Sequence, residues 1–196
     1  MKIRVALALV ATMLLSACGI NSVPTAEENA KAKWANVQAA YQRRADLIPN
    51  LVATVKGAAG SEGKILSDVI GARARATSTT LAPGDLSDPA KVEAFQSAQN
   101  QLGGSLSRLL VSVEAYPQLQ SQGGFRTLMD QIEGSENRIN IAIQDYNTAV
   151  QAYNTRIRTF PDSIGATVFY GAKPLAPFQA KAGSDVAPTV DFGNGS

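Results

Sequence analysis

The sequence contains no histidine and a single cysteine. Without imidazole, Ser-His-Asp and Cys-His catalysis, His-ligated zinc and a histidine pH switch are excluded. With one thiol, an intramolecular disulfide is excluded as well, so the meaning of Cys18 has to come from its neighbours. Aromatic residues are scarce, at 6%, and alanine is frequent, which favours helices packed through small and aliphatic side chains. No apolar run reaches the ~20 residues that span a bilayer. Neither sign of charge is in excess. Of the 18 Lys and Arg, Lys2 and Arg4 stand at the very start, and the remainder match the 16 Asp and Glu. A neutral chain with no basic patch argues against nucleic acid as a partner. What is present suits one globular domain with short extensions: 196 residues, 45% of them hydrophobic. A chain of that length buries roughly 70% of its unfolded surface.

The first residues have the three parts of a secretory leader in order. Lys2 and Arg4 are a positive start, Val5 to Leu15 is apolar except for Thr12, and small residues follow in Leu15-Ser16-Ala17-Cys18-Gly19. Leu-Ser-Ala-Cys resembles the bacterial lipobox. That resemblance implies cleavage before Cys18, a diacylglycerol on its thiol and acylation of the new amine. Two or three acyl chains hold firmly, at ~0.8 kcal/mol per buried methylene. Gly19, where an Asp would retain the protein at the inner membrane, implies the periplasmic face of the outer membrane if the source has two. The chain therefore divides into a signal peptide (1–17), a lipidated cysteine with its tether (18–25), a helical domain (26–160) and an irregular tail rich in Pro, Gly and Ala (161–196).

Periodicity predicts an all-α domain. Ala30, Trp34, Val37, Tyr41 and Ile48 form one stripe at helical steps. Pro49 falls inside it and either opens a new helix or kinks a continuous one. Gly57, Gly60 and Gly63 suggest a turn, and a second helix runs from Ile65 to about Thr80. Ala82-Pro83-Gly84-Asp85 breaks the chain, and Ser87 or Asp88 can cap a third helix. That helix carries Val92, Phe95, Gln99, Leu102, Leu106, Leu109, Val113 and Tyr116, with Gln99 the polar member. Pro117 ends or kinks it, and Gly123-Gly124 marks another turn. In the fourth helix Ile139, Tyr146 and Tyr153 occupy heptad position a, Ala142 and Ala149 position d, and Ile143, Val150 and Ile157 position e. Gln144, Gln151 and Arg158 lie opposite. So wide an apolar face suits burial in a bundle. From Phe125 to Phe160 it would extend roughly 50 Å, which predicts an elongated domain.

Several segments together resemble the LemA family: Arg43 to Val52 (RRADLIPNLV), Glu114-Ala115-Tyr116-Pro117, Glu133 to Ile139 (EGSENRI), Tyr146-Asn147, Tyr153 to Ile157 (YNTRI), Phe160-Pro161 and Pro188 to Phe192 (PTVDF). The resemblance covers roughly residues 28–192. It implies an elongated antiparallel four-helix bundle tethered outside the inner membrane, and no agreed catalytic activity. It also implies a membrane-associated partner, a TPM-domain envelope protein. A lipobox stands here in place of the family's usual uncleaved anchor helix.

The candidate chemistry is thin. Glu133 and Glu136 share a helix face and could act as an acid/base pair or bind a metal. An ion pair with Arg138 or Arg108 is the simpler expectation. Arg43-Arg44 could hold an anionic headgroup, or Arg44 and Asp46 could fix the Pro49 bend. Trp34 at stripe spacing reads as core, and the glycines make no phosphate loop. Asn140, Asn147 and Asn154 repeat at heptad position b beside the buried stripe. They either bond to a neighbouring helix or to the returning tail, or, at Asn147 with Thr148, border a docking surface that Ile141 and Thr155 extend. No catalytic residue, metal or cofactor is expected. The expected role is a membrane-held, non-enzymatic interaction or scaffold module of the cell envelope. The alternatives are a carboxylate-dependent envelope hydrolase and a lipid or small-ligand carrier.

Overall fold

Local chemistry decides where the helices start and stop. The computed structural model describes residues 21–58 and 63–179. It contains four long helices, α1 (Ser22–Ala58), α2 (Gly63–Ser78), α3 (Pro89–Val113) and α4 (Gly123–Arg156), and no strand among the described residues. Cys18 and its leader, Gly60 and the Pro188–Phe192 stretch lie outside the described residues. Asp88 is the N-cap of α3. Its Oδ1 accepts from the amides of Ala90 and Lys91 at 3.0 and 3.4 Å, and Pro89 takes the first turn, where a missing N–H costs little. A 3-10 turn, Pro83–Ser87, fills the breaker before it. A single turn, Pro117–Gln120, joins α3 to α4.

Pro49 does not divide α1. It deprives the Ala45 carbonyl of its intrahelical donor, and Arg73 Nε of α2 supplies one at 2.8 Å. The carbonyl freed by Pro49 is thus served by Arg73, and Arg44 and Asp46 take no part. Asp46 accepts instead from Gln42, one turn earlier.

Other boundaries also differ from the sequence reading. Helix α1 begins at Ser22, inside the expected tether, because Val23 continues the stripe of Ala30 and Trp34 and is fully buried. Gly123 and Gly124 are the first residues of α4 rather than a turn, and α4 ends at Arg156, short of Phe160. The tail is not irregular throughout. Asp162–Gly165 and Ala166–Tyr170 form helical turns. Gly171, at φ 52°, then redirects the chain; this left-handed conformation favours glycine.

The fold is an elongated antiparallel helical bundle. Lys33 of α1 meets Asp145 of α4 at 2.8 Å, and Arg44 meets Glu136 at 2.9 Å, so the two helices run in opposite directions. With 37 and 34 residues they are about 55 and 50 Å long at 1.5 Å per residue. The most extensive interfaces are α1 with α4 and α2 with α3. The core has two parts. One gathers Trp34, Tyr41, Phe95, Ile139, Tyr146 and Tyr153. The other gathers Ile48, Leu51, Leu102, Leu106, Leu109 and Ile132. Helix α2 has only 16 residues and cannot line both halves. In the first part Leu81, Leu86, Leu175 and Phe178 take the fourth wall.

Candidate functional site

The two halves of the core meet at a polar layer. On α1 the apolar stripe passes from Tyr41 to Ile48, on α3 from Phe95 to Leu102 and on α4 from Ile132 to Ile139. Each step is one heptad, and Arg44, Gln99 and Glu136 lie within them. Arg44 Nη1 donates to Glu136 Oε1 at 2.9 Å, and Nη2 donates to the Gln99 carbonyl and to Gln99 Oε1 at 3.1 and 2.9 Å. The Gln99 amide donates in turn to the Ala76 carbonyl in the last turn of α2, at 3.1 Å. All four helices therefore meet through one guanidinium and one amide.

The guanidinium also stacks on the Tyr41 ring, its carbon 5.1 Å from the centroid. The Arg44 side chain is 4% exposed and that of Glu136 43%, so the cation is buried and the carboxylate still touches water. Arg44 Nε has no partner. Burial pushes the Tyr41 phenol up to about 12; Arg44 pulls it down and Glu136 adds to the rise. Glu136 thus pairs with a residue on another helix, and neither Arg138 nor Arg108 holds it. Arg108 donates to Ser105 at 3.1 Å. Glu133 is exposed. Among the described residues no three carboxylates or thiols are grouped to hold a metal.

A second arrangement ties the tail to α4. Asn154 Nδ2 donates to the Leu175 carbonyl at 2.8 Å, and its Oδ1 accepts from the Leu175 amide at 2.9 Å. Asn147 does the same with Phe178, at 3.0 and 2.8 Å. The preceding tyrosines add one bond each: Tyr153 donates to the Lys173 carbonyl at 3.1 Å and Tyr146 to the Ala176 carbonyl at 3.0 Å. The registers match for a physical reason. Seven residues of helix rise about 10.5 Å, and three residues of extended or polyproline-like chain rise about 9–10 Å. A Tyr-Asn pair every seven residues therefore meets the tail every three. Pro174 and Pro177 fall on the same three-residue interval, face solvent and need no donor. Phe178 closes the aromatic cluster around Trp34, with ring centroids 5.7 Å apart, and the Trp34 indole donates to the Leu81 carbonyl at 3.2 Å. Burial raises the phenol of Tyr146 above its ordinary range.

A family model described as the LemA family matches residues 33–192. The chain belongs to the LemA family. The matched span holds the polar layer and both Tyr-Asn rungs. Two relatives are Magnetosome protein MamQ 2 and MamQ 1 of Paramagnetospirillum magneticum, each 29% identical over 91% of this chain and 70% of theirs. Magnetosome protein MamQ of Magnetospirillum gryphiswaldense is 28% identical over 72% of this chain and 58% of its own.

On this LemA bundle the residues singled out from the sequence fall in different places. Cys18, the lipidation candidate, is outside the described residues. The side-chain amide of Asn147 is taken by Phe178, so the tail-binding alternative applies to it and to Asn154. Asn140 is exposed. Ile141 is 52% exposed and lines a groove of about 340 Å³ between α1 and α4 with Ala39, Ala40, Arg43, Arg138 and Asp145. Thr148 and Thr155 are exposed too, but they line a separate groove towards Ser22 and Asp162. Sequence reasoning missed Arg73, the register of the tail and the pairing of Arg44. The Tyr-Asn repeat with the Pro174 and Pro177 spacing carried a usable signal for the second of these.

Proposed function

We propose that this LemA protein is a lipid-anchored, non-enzymatic interaction module of the bacterial cell envelope, and that it holds a partner protein along the outer groove of α1 and α4. The observation that carries the reading is Ile141. It is a large apolar side chain on a rigid helix, held in water over small residues and ringed by Arg43, Arg138 and Asp145. A contiguous apolar patch with a polar rim marks a protein contact, and what separates Ile141 from the equally exposed Ile70 is the groove it shares with Ala39 and Ala40. A membrane-associated TPM-domain protein is the partner that the family resemblance implies, and acyl chains on Cys18 would hold the module beside it. The periplasmic face of the outer membrane follows from Gly19 if the source has two membranes.

The hydrolase alternative draws little support from the geometry, because the Glu136 carboxylate is engaged by Arg44. A carrier needs an apolar cavity. The α3 groove, about 710 Å³, is open and lined by Arg75, Glu93, Asn100 and Arg108, while Trp34, Tyr146 and Tyr153 fill the core near the tail.

The test is photo-crosslinking in intact cells from residue 141, with exposed Ile70 as the control position. One discrete protein adduct from 141 and none from 70 supports the module. Equal smears from both positions overturn it. A turnover of wall or lipid substrate by the purified lipoprotein, lost in folded Glu133→Gln and Glu136→Gln variants, would replace it with the hydrolase. For the anchor, Cys18→Ser should abolish acyl labelling and leave the uncut precursor.

A further inference from the structure

Where α4 ends and the tail turns back, five large apolar side chains point into water. Phe160 is 81% exposed, Val168 69% and Phe169 66%, with Ile164 and Tyr170 beside them. Ile164 and Val168 stand four apart across the helical turns Asp162–Gly165 and Ala166–Tyr170, a spacing that puts side chains on one side, and Phe160 stands in the link between α4 and these turns. The opposite side, Gly165 and Ala166, is buried, and Ala166 packs with Val23 in the core. The apolar side is therefore an outward face of an ordered turn.

This face lies at the end of the bundle where the chain leaves towards Cys18. Ser22 shares a groove with Thr159 and Asp162, and α1 packs on Asp162–Gly165. Cys18 precedes Ser22 by four residues, which reach at most about 14 Å when fully extended. The headgroup layer on each side of a bilayer is itself roughly 5–7 Å thick. Arg158 and Lys173 are exposed close by, Asp162 is engaged by Arg156 at 3.8 Å, and Glu27 and Glu28 are paired with Lys31. One ammonium offsets only one of the two glutamates, so four cations face three anions there, and the slight positive balance is of the sign that anionic lipid favours.

We propose that Phe160, Ile164, Val168, Phe169 and Tyr170 seat in the surface of the bilayer that holds Cys18, so that the bundle stands on the membrane at a fixed angle. This rests on the lipid-anchor reading. A tether of four residues leaves little room for a protein to cover the face, whereas lipid is already there. Aromatic side chains are at home at the depth of the headgroups. The contact also fixes which surface of α1 and α4 faces away from the membrane.

The experiment uses the processed full chain in vesicles of phosphatidylethanolamine and phosphatidylglycerol with dibrominated acyl chains. Acylation leaves no free thiol, so Phe169→Cys and Val111→Cys each offer one position for an environment-sensitive fluorophore. The expected result is roughly twofold quenching or more at 169 and none at exposed Val111. If wild-type protein takes no label and floats with the vesicles while the 169 label remains in water, the anchor stands and the seating is overturned. If wild-type protein labels at Cys18 and stays off the vesicles, the anchor is overturned and the seating with it. A 169 label that is shielded without vesicles and unquenched by bromolipid marks contact with a second copy, and also overturns the proposal.

Discussion

Asn147 and Phe178 hold each other by two hydrogen bonds, the side-chain amide giving one at 3.0 Å and receiving one at 2.8 Å. One helical side chain thereby satisfies the donor and the acceptor of an extended residue 31 positions away. Asn154 repeats the arrangement one heptad later with Leu175.

Loss of either rung should loosen the tail. Asn147→Ala and Asn154→Ala are each expected to cost ~1–3 kcal/mol by urea denaturation, because two backbone groups lose partners at once. Chymotrypsin should also cut sooner after Phe178, which Gln179 follows. Asn140→Ala, which breaks no such bond, should stay within ~0.5 kcal/mol. Unchanged cleavage in the first two variants would mean that core packing of Leu175 and Phe178 holds the tail without the clamp.

The Arg44–Glu136 pair should respond asymmetrically. Glu136→Ala strands a buried cation, for which ~3–5 kcal/mol is usual, and the Gln99 contacts should bring it towards the lower end. Arg44→Met should cost less, because Glu136 can rehydrate and the aliphatic chain refills the site. The double variant should match Arg44→Met within ~0.5 kcal/mol. A larger loss in Arg44→Met than in Glu136→Ala would show that the guanidinium bonds to Gln99 dominate the layer.

Alkaline pH should weaken the fold in a defined window. The Tyr41 phenol titrates from 10.0 in the open chain to about 12 in the fold, burial being the main cause. Folding favours its neutral form, so this contribution is complete below pH 10 and is lost as pH climbs through 12. Stability followed by circular dichroism should decline across that range, and Tyr41→Phe should flatten part of the decline. An identical pH profile in that variant would assign the loss to other groups.

Core positions should separate from surface ones on the same helices. Ile139→Ala and Leu106→Ala are expected to cost ~2–5 kcal/mol each, while Gln144→Ala, on the outer face, should stay within ~0.5. Equal small effects at all three would contradict the heptad assignment of α4.

Much of the fold was legible because helices are local. The stripe of Ala30, Trp34, Val37 and Tyr41 and the a/d/e face of α4 are patterns within a few turns, and a cap at Ser87 or Asp88 is a pattern within a few residues, between which the structure chose Asp88. These determined the all-α class, the elongation, the opening of α3 and which faces are buried. Boundaries were less secure. Val23 belongs to the stripe of α1 but sits among polar residues, and Gly123 and Gly124 look like a turn until the helix they begin is packed.

The partners of polar side chains were decided only by the tertiary structure. Arg44 finds Glu136 across 92 positions, Arg73 finds the carbonyl freed by Pro49 across 28, and Asn154 finds Leu175 across 21. In sequence, Arg108 or Arg138 served as well for Glu136, since charge and spacing alone do not rank cations on different helices. The choice follows from which side chains the register of the packed helices brings within hydrogen-bond distance, where burial makes an unpaired group costly. For the same reason the Tyr-Asn repeat announced a ladder, and only the path of the tail decided what it would grip.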